Sequence, residues 1–468
     1  MRKSLLSAIA IVLIFTANAQ WQIQNAGFTN DTLGFYEMSI VDKNTAWAIC
    51  YDGKAGLFSN RLILDFTRTT NGGKTWTPGK MGNDSSLQFS NISAISGKEA
   101  WVAMHKLNGI TGGGLYHTTD GGITWTQSNR GQIFDENSFP NFVYFKDRNK
   151  GIAVGDPNGG YFEVYTTTNA GKKWERVSKA DLPAPLANEF GWISGYAVVG
   201  NTIWFGTTAG RMYTSTNLGK DWTVNTVDST GNAVYEIAFN DDKLHGVTHV
   251  RPGNQTFLYS TSDGGVTWRN LGQPANWKSS RITAVPGTDA LISTSVIRSN
   301  QGSAVSYDNG AIWTEIERTA PKAVARFLDA NTGWAGGFFI TGPPFSGGIF
   351  KSQIEFQRRA RPKDERKPEE ENGSKKPLDI RERIRTEHLV KVYPTPANEV
   401  INIVLDDELV NANSVISILT MEGKVIESTK SAGSKLIQRN LGKLPKGLYM
   451  IRITTKTQTI QKVFTIAR

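Results

Sequence analysis

One eight-residue pattern recurs six times along the chain: Ser or Thr, any residue, Asp or Asn, any residue, Gly, two further residues, Trp. The copies occupy residues 69–76, 118–125, 167–174, 215–222, 261–268 and 306–313, and their tryptophans fall 49, 49, 48, 46 and 45 residues apart. A period of this kind marks a repeat architecture and sets the fold before any single element is considered. The chemistry inside each copy reads as a turn. The third residue (Asn71, Asp120, Asn169, Asn217, Asp263 or Asp308) offers a side-chain oxygen to backbone N–H groups two residues on. The glycine two places later supplies the positive φ that reverses the chain. Trp76, Trp125, Trp174, Trp222, Trp268 and Trp313 then return the chain to an apolar layer. Flanking segments such as Gly114-Leu115-Tyr116-His117-Thr118 carry β-formers, so each copy is expected to be a hairpin turn with an aromatic anchor.

A short apolar strand precedes each box, as in Thr45-Ala46-Trp47-Ala48, Ala100-Trp101-Val102-Ala103, Gly151-Ile152-Ala153-Val154 and Thr202-Ile203-Trp204-Phe205, with weaker copies at His245-Gly246-Val247 and Ala290-Leu291-Ile292. Gly333-Trp334-Ala335-Gly336 makes a seventh strand with no box after it. That last unit ends near residue 352 without a Trp strand, and Trp21-Gln22-Ile23-Gln24 has the character of the missing one. The expectation is therefore all-β: a seven-bladed β-propeller over residues 20–356, with residues 21–24 closing the ring against residues 327–352. A linear β-solenoid is the alternative, but it would not need an N-terminal strand to complete its last unit.

The boxes resemble the Asp-box (BNR) repeat of sialidases, xyloglucanases, sortilin-type receptors and photosystem II assembly-factor propellers, over about residues 20–356. The resemblance implies boxes at the blade periphery between third and fourth strands, structural in role and outside any active site. It speaks to fold far more than to function.

The two ends of the chain carry an address. Met1-Arg2-Lys3, an apolar stretch through Phe15 and Ala17-Asn18-Ala19 form a secretory signal pattern over residues 1–19, too short to be a transmembrane helix. Residues 357–388 carry 11 basic and 8 acidic residues and no Phe, Tyr or Trp, the composition of a solvated linker. Residues 389–468 return to short β-like runs, about seven strands, and read as a small Ig-like β-sandwich. Val392-Tyr393-Pro394-Thr395-Pro396-Ala397, Gly423-Lys424-Val425 and Leu444-Pro445-Lys446-Gly447-Leu448-Tyr449 resemble the type A C-terminal sorting domain of the Bacteroidota type IX secretion system. Family members usually carry Asn where Thr395 stands. The resemblance implies passage through Sec and then the type IX machinery, removal of residues 389–468 by its sorting peptidase, and a secreted or surface-attached product.

Basic residues exceed acidic ones, 52 to 42, which invites a nucleic-acid reading. Residues 20–356 nevertheless hold 28 of each, so the excess lies in address, linker and tail, and no nucleic-acid partner is expected. A single cysteine excludes a disulfide scaffold or a Cys-based metal centre, and Cys50 reads as a buried, inert thiol. His245 and His249 lie in a strand-like segment, about 13 Å apart at strand rise, too far to share an ion. No cofactor is implied: there is no Walker loop, HExxH helix, dinucleotide fingerprint or Ser-His-Asp set. Strand order places Asp156 and Glu189 on the face opposite the boxes, in neighbouring blades, where two carboxylates could act as acid and base on a glycoside. The competing role for them is bracing turns and loops. Sialidase chemistry is disfavoured because Arg61-Leu62-Ile63 and Arg281-Ile282-Thr283 lack the proline of that family's signature. Aromatics in the insert loops, Phe190, Phe338 and Phe345 foremost, with Phe58, Phe134, Phe139 and Phe339, suit either ligand contact or packing between loops. The reading is a recognition propeller for glycan or protein ligands, with polysaccharide hydrolysis as the alternative.

Overall fold

The computed structural model describes residues 20–356 and 390–466, apart from residues 29–32, 53–62, 83, 85, 108–109, 129–131, 338–347, 394–396, 406–408, 411–413, 421–423 and 456–458. Phe58, Arg61, Phe338, Phe339, Phe345 and Thr395 lie outside the described residues. The chain divides into two compact units, Met1–Lys363 and Asp364–Arg468.

The first unit holds seven four-stranded antiparallel sheets. Sheet one is typical: Leu33–Ile40, Ala46–Asp52, Asp65–Thr69 and Thr77–Lys80, each strand hydrogen-bonded to the next in sequence. Sheets two to seven begin with Leu87–Ala94, Pro140–Phe145, Gly191–Val199, Ala233–Phe239, Arg281–Ala284 and Val324–Asp329. Each of these first strands packs against the first strands of the sheets before and after it, and that of sheet seven returns to that of sheet one. The sheets therefore run round a closed ring, with first strands innermost. Sheet seven takes its fourth strand from the other end of the chain: Trp21–Gln24 pairs antiparallel with Ile349–Ser352 in the register Trp21↔Ser352 to Gln24↔Ile349. The Gln24 side-chain oxygen accepts the indole N–H of both Trp76 and Trp334, at 3.1 Å each, so one amide ties sheet one to sheet seven.

Every box folds the same way. The leading hydroxyl accepts the N–H of the box glycine, at 2.8–3.1 Å from Gly73, Gly122, Gly171, Gly219, Gly265 and Gly310. The same hydroxyl donates to the Asp or Asn oxygen. That oxygen accepts a backbone N–H four residues on, at 2.9–3.2 Å, from Thr75, Thr124, Lys173, Asp221, Thr267 and Ile312. The expected two-residue span is thus corrected to four. All six glycines have φ between 71° and 93°, and this left-handed step adds a residue of turn before an N–H points back at the side chain.

These turns also form the seams of the ring. A Cβ on Gly171 would lie 2.4 Å from Trp101 of the preceding sheet, and one on Gly122 would lie 2.2 Å from Phe66. The box tryptophans pack edge-on against second-strand aromatics of the sheet before: Trp125 on Trp47 at 6.4 Å, Trp174 on Trp101 at 6.0 Å and Trp76 on Trp334 at 6.2 Å. Cys50 is buried within Ala46–Asp52.

The second unit is also all-β. Val390–Tyr393, Val400–Leu405 and Leu436–Asn440 form one sheet; Val425–Lys430, Val415–Thr420, Gly447–Thr454 and Thr459–Ile466 form another. Alternate residues such as Ile401, Ile403 and Leu405, Ile416 and Ile418, and Ile451 and Ile453 are buried in one core. The Tyr449 hydroxyl donates to the Pro445 carbonyl at 2.9 Å, which cross-braces the Leu-Pro-Lys-Gly-Leu-Tyr run.

Candidate functional site

The centre of the ring is shaped by β-bulges. Register shifts by one residue between Phe35 and Glu37, Phe89 and Asn91, Pro140 and Phe142, and Val234 and Glu236. A bulge re-aims the side chains that follow it. At these positions it places Glu37, Asn91 and Glu236 among the inner strands, where an unbroken pleat of this apolar character would carry core residues. Arg326 Nη2 meets Glu37 Oε2 at 2.8 Å, and Arg281 Nη1 meets Glu236 Oε1 at 2.8 Å. Arg281 also lies 3.8 Å from Glu37. Burial pushes Glu236 up to about 7, although Arg281 and Arg326 pull it down. Asn91 donates to the Val143 carbonyl and accepts the Val143 N–H, joining sheets two and three.

This ionic girdle separates two cavities. On the box side, a cavity of about 660 Å³ is lined by the later residues of the inner strands, including Glu37, Glu236 and Arg326. On the opposite side, a cavity of about 880 Å³ is lined by earlier residues: Tyr36, Gln88, Trp192, Arg281 and their neighbours. We term the latter the upper cavity. Its lining includes Trp192 and Trp277, the guanidinium groups of Arg251 and Arg281, and the amides of Gln88, Asn254, Gln255, Gln273, Asn276 and Asn300. Among the described residues it includes no Asp or Glu. Arg251 lies over the Tyr235 ring at 5.0 Å, and Trp192 is 5.7 Å from that ring. His105, at the cavity edge, takes a hydrogen bond partner in Ser90 Oγ at 2.9 Å, and burial pulls it down to about 4, so it is neutral near pH 7.

Asp156 and Glu189 sit elsewhere and line neither cavity. The Glu189 side chain is 0% exposed. Its carboxylate accepts Arg211 Nε at 2.9 Å, Thr207 Oγ1 at 2.6 Å and the Leu186 N–H at 2.7 Å, and a second Arg211 nitrogen completes a bidentate pair. Asp156 Oδ1 accepts the Asn141 amide and the Gly191 N–H, each at 2.8 Å. Burial pushes Asp156 up to about 6 against those hydrogen bonds. The segment leading into Gly191–Val199 is therefore held on two sides: its own Glu189 anchors it to Thr207 and Arg211 of sheet four, and Asp156 of sheet three holds Gly191. Phe190 is 45% exposed, and its backbone N–H is held by Thr208 Oγ1 at 3.0 Å. Phe134, expected in an exposed loop, is buried, with its ring 5.2 Å from Tyr165. Phe139 packs on His105 at 4.9 Å.

None of the upper-cavity residues was singled out as a site from the sequence. One signal was present: the dipeptide Tyr-Glu occurs at Tyr36-Glu37 and again at Tyr235-Glu236, each at a bulge in an otherwise apolar inner strand.

Residues 391–467 match the family model described as the secretion system C-terminal sorting domain. Comparison with curated proteins gives no match. Among solved structures, the chain is similar to YCF48 bound to D1 peptide, at 16% identity and a TM-score of 0.48, over 71% of this chain and 96% of that one. It is similar to the GH74 enzyme of Niastella koreensis at 13% identity and a TM-score of 0.43, over 92% of this chain and 78% of that one. It is similar to the WD40 propeller domain of Doa1 at 10% identity and a TM-score of 0.45, over 73% and 99%. Likeness at this level says nothing of substrate. The molecule is a propeller protein, its first unit built of four-stranded antiparallel sheets. Its C-terminal sorting domain marks it for type IX export, to the medium or the cell surface. No helix among the described residues is long and apolar enough to cross a membrane.

Proposed function

We propose that residues 20–356 form a seven-bladed Asp-box propeller that recognises extracellular glycan or protein ligands at its upper mouth. In this reading residues 1–19 are a signal peptide and residues 357–388 a tether. Residues 389–468 are an Ig-like sorting domain, read by the type IX machinery and cut off by its sorting peptidase. The observation that carries the recognition role is the upper cavity: two tryptophans, two guanidinium groups and six side-chain amides around about 880 Å³, a volume in the range of small-ligand sites. Hydrolysis has less support. A retaining or inverting glycosidase needs two carboxyl groups flanking one bond, and Glu189 is sealed and fully hydrogen-bonded. The test is a glycan array with a parallel surface-protein pull-down, using the full chain and its Trp192→Ala variant. Ligand capture lost in the variant supports the reading; no capture in either assay defeats it.

A further inference from the structure

The upper cavity has a sign. Arg281 forms part of its lining, while both of its counter-charges, Glu236 and Glu37, belong to the cavity on the far side of the girdle. Arg251 is exposed and stacked on Tyr235, with no ion pair to a described carboxylate. The propeller segment as a whole is neutral, with 28 basic and 28 acidic residues, so this positive lining is a local arrangement.

A second observation lies next to it. Trp277 Nε1 and both ring nitrogens of His249 are buried and have no hydrogen-bond partner among the described residues. The Trp277 ring belongs to the cavity lining and meets the fully buried His249 ring edge-on at 4.9 Å. Thr294, the register partner of Arg281, has an unpartnered buried hydroxyl as well. Buried polar groups are normally satisfied, by protein, water or ligand. The indole of Trp277 offers only an N–H, so at least that unmet group is a donor waiting for an acceptor.

We propose that the upper cavity binds an acidic saccharide, its anionic group received by Arg251 and Arg281 and a sugar face laid on Trp192. This rests on the recognition reading of the same cavity and narrows it to one ligand class. Guanidinium groups bind carboxylates and sulfate-like oxyanions strongly and with directional hydrogen bonds. Side-chain amides both donate and accept, as sugar hydroxyls do. Gln88, Asn254, Gln255, Gln273 and Asn300 around an aromatic platform therefore suit a hydroxylated ring better than an apolar peptide anchor.

The test is calorimetric titration of the full chain with oligogalacturonate, the same oligomer as its methyl ester, dextran sulfate and plain dextran, and oligoglutamate as the peptide arm. We expect one acidic saccharide to bind at least tenfold more tightly than its neutral counterpart, and the winning arm identifies carboxylate or sulfate. R251Q, on an exposed side chain, should weaken the acidic ligand about tenfold. Since linker and tail hold the basic excess, it is this comparison within one chain that isolates the cavity. W277F, which keeps the ring and removes the N–H, should weaken the acidic ligand severalfold, and W192A should abolish saccharide binding. Equal binding of neutral and acidic oligomers, or acidic binding indifferent to R251Q, overturns the anionic subsite and leaves recognition standing. Binding of oligoglutamate alone overturns the saccharide assignment. An empty result with every probe, together with empty array and pull-down results, overturns both readings.

Discussion

At the scale of single residues, Glu189 and Asp156 are both held by hydrogen bonds from within the protein. Breaking a buried ion pair by removing one partner strands the other, at about 3–5 kcal/mol. Glu189→Ala should therefore lower unfolding free energy by about that amount in a urea titration, because Arg211, only 14% exposed in its side chain, would lose its bidentate partner. Asp156 behaves differently. Its folded value of about 6 stands above the ordinary 3.8, so the folded state holds the proton more tightly. Its contribution is fully present below about pH 4 and is lost as pH rises through 6, on the order of 2–3 kcal/mol. Asp156→Asn keeps an oxygen for the Asn141 and Gly191 donors and removes the titration. The variant should match the parent in melting temperature at pH 4 and exceed it at pH 7. Gly171→Ala meets two obstacles at once, φ of +71° and a contact 2.4 Å from Trp101. The backbone part alone costs about 1–2 kcal/mol, and overpacking adds about 1–3; thermal unfolding followed by tryptophan fluorescence would read the sum.

At the scale of elements, the boxes were legible because every bond that defines them lies within five residues: hydroxyl to glycine N–H, and side-chain oxygen to an N–H four places on. The closing strand was legible for a different reason. Seven strands of one kind against six boxes left one strand position unfilled, and Trp21–Gln24 occupies it. Trp21 Nε1 donates to Ser303 Oγ at 2.9 Å, and its ring lies 5.5 Å from the buried Lys322 ammonium, which also sits 4.5 Å over Phe350. Trp21→Ala should cost about 3–5 kcal/mol as a large-to-small core change. Deleting residues 20–24 should cost more and raise hydrogen exchange in Ile349–Ser352 ahead of the other sheets, since that strand loses its edge cover. Uniform exchange across all seven sheets would argue against a closing role. The bulges, by contrast, left only one trace in the sequence, the Tyr-Glu pair at 36–37 and 235–236. The pair by itself does not say that Tyr36 is the extra residue, and one residue of slip exchanges the faces of everything after it.

At the scale of the whole molecule, the propeller and the sorting domain are separate units. Residues 20–356 are neutral and carry the upper cavity, while the basic excess belongs to residues 1–19 and 357–468. Removing residues 389–468 should leave the chain inside the cell envelope, absent from medium and surface in a fractionation blot. An unchanged extracellular fraction would contradict export through the tail.

The sequence alone determined the parts that repeat or act locally: the box turns, the strand that pairs with Ile349–Ser352 and the sorting motifs. Periodicity and short-range hydrogen bonding are properties of neighbouring residues, so they survive in one dimension. The tertiary structure alone decided which side chains meet at the axis. Glu37 and Arg326 are 289 residues apart and reach each other only because the ring closes. The same closure brings Tyr36, Trp192, Arg251 and Arg281 around one cavity. A carboxylate's role follows from what surrounds it, and in a closed ring those surroundings come from strands far apart in the chain.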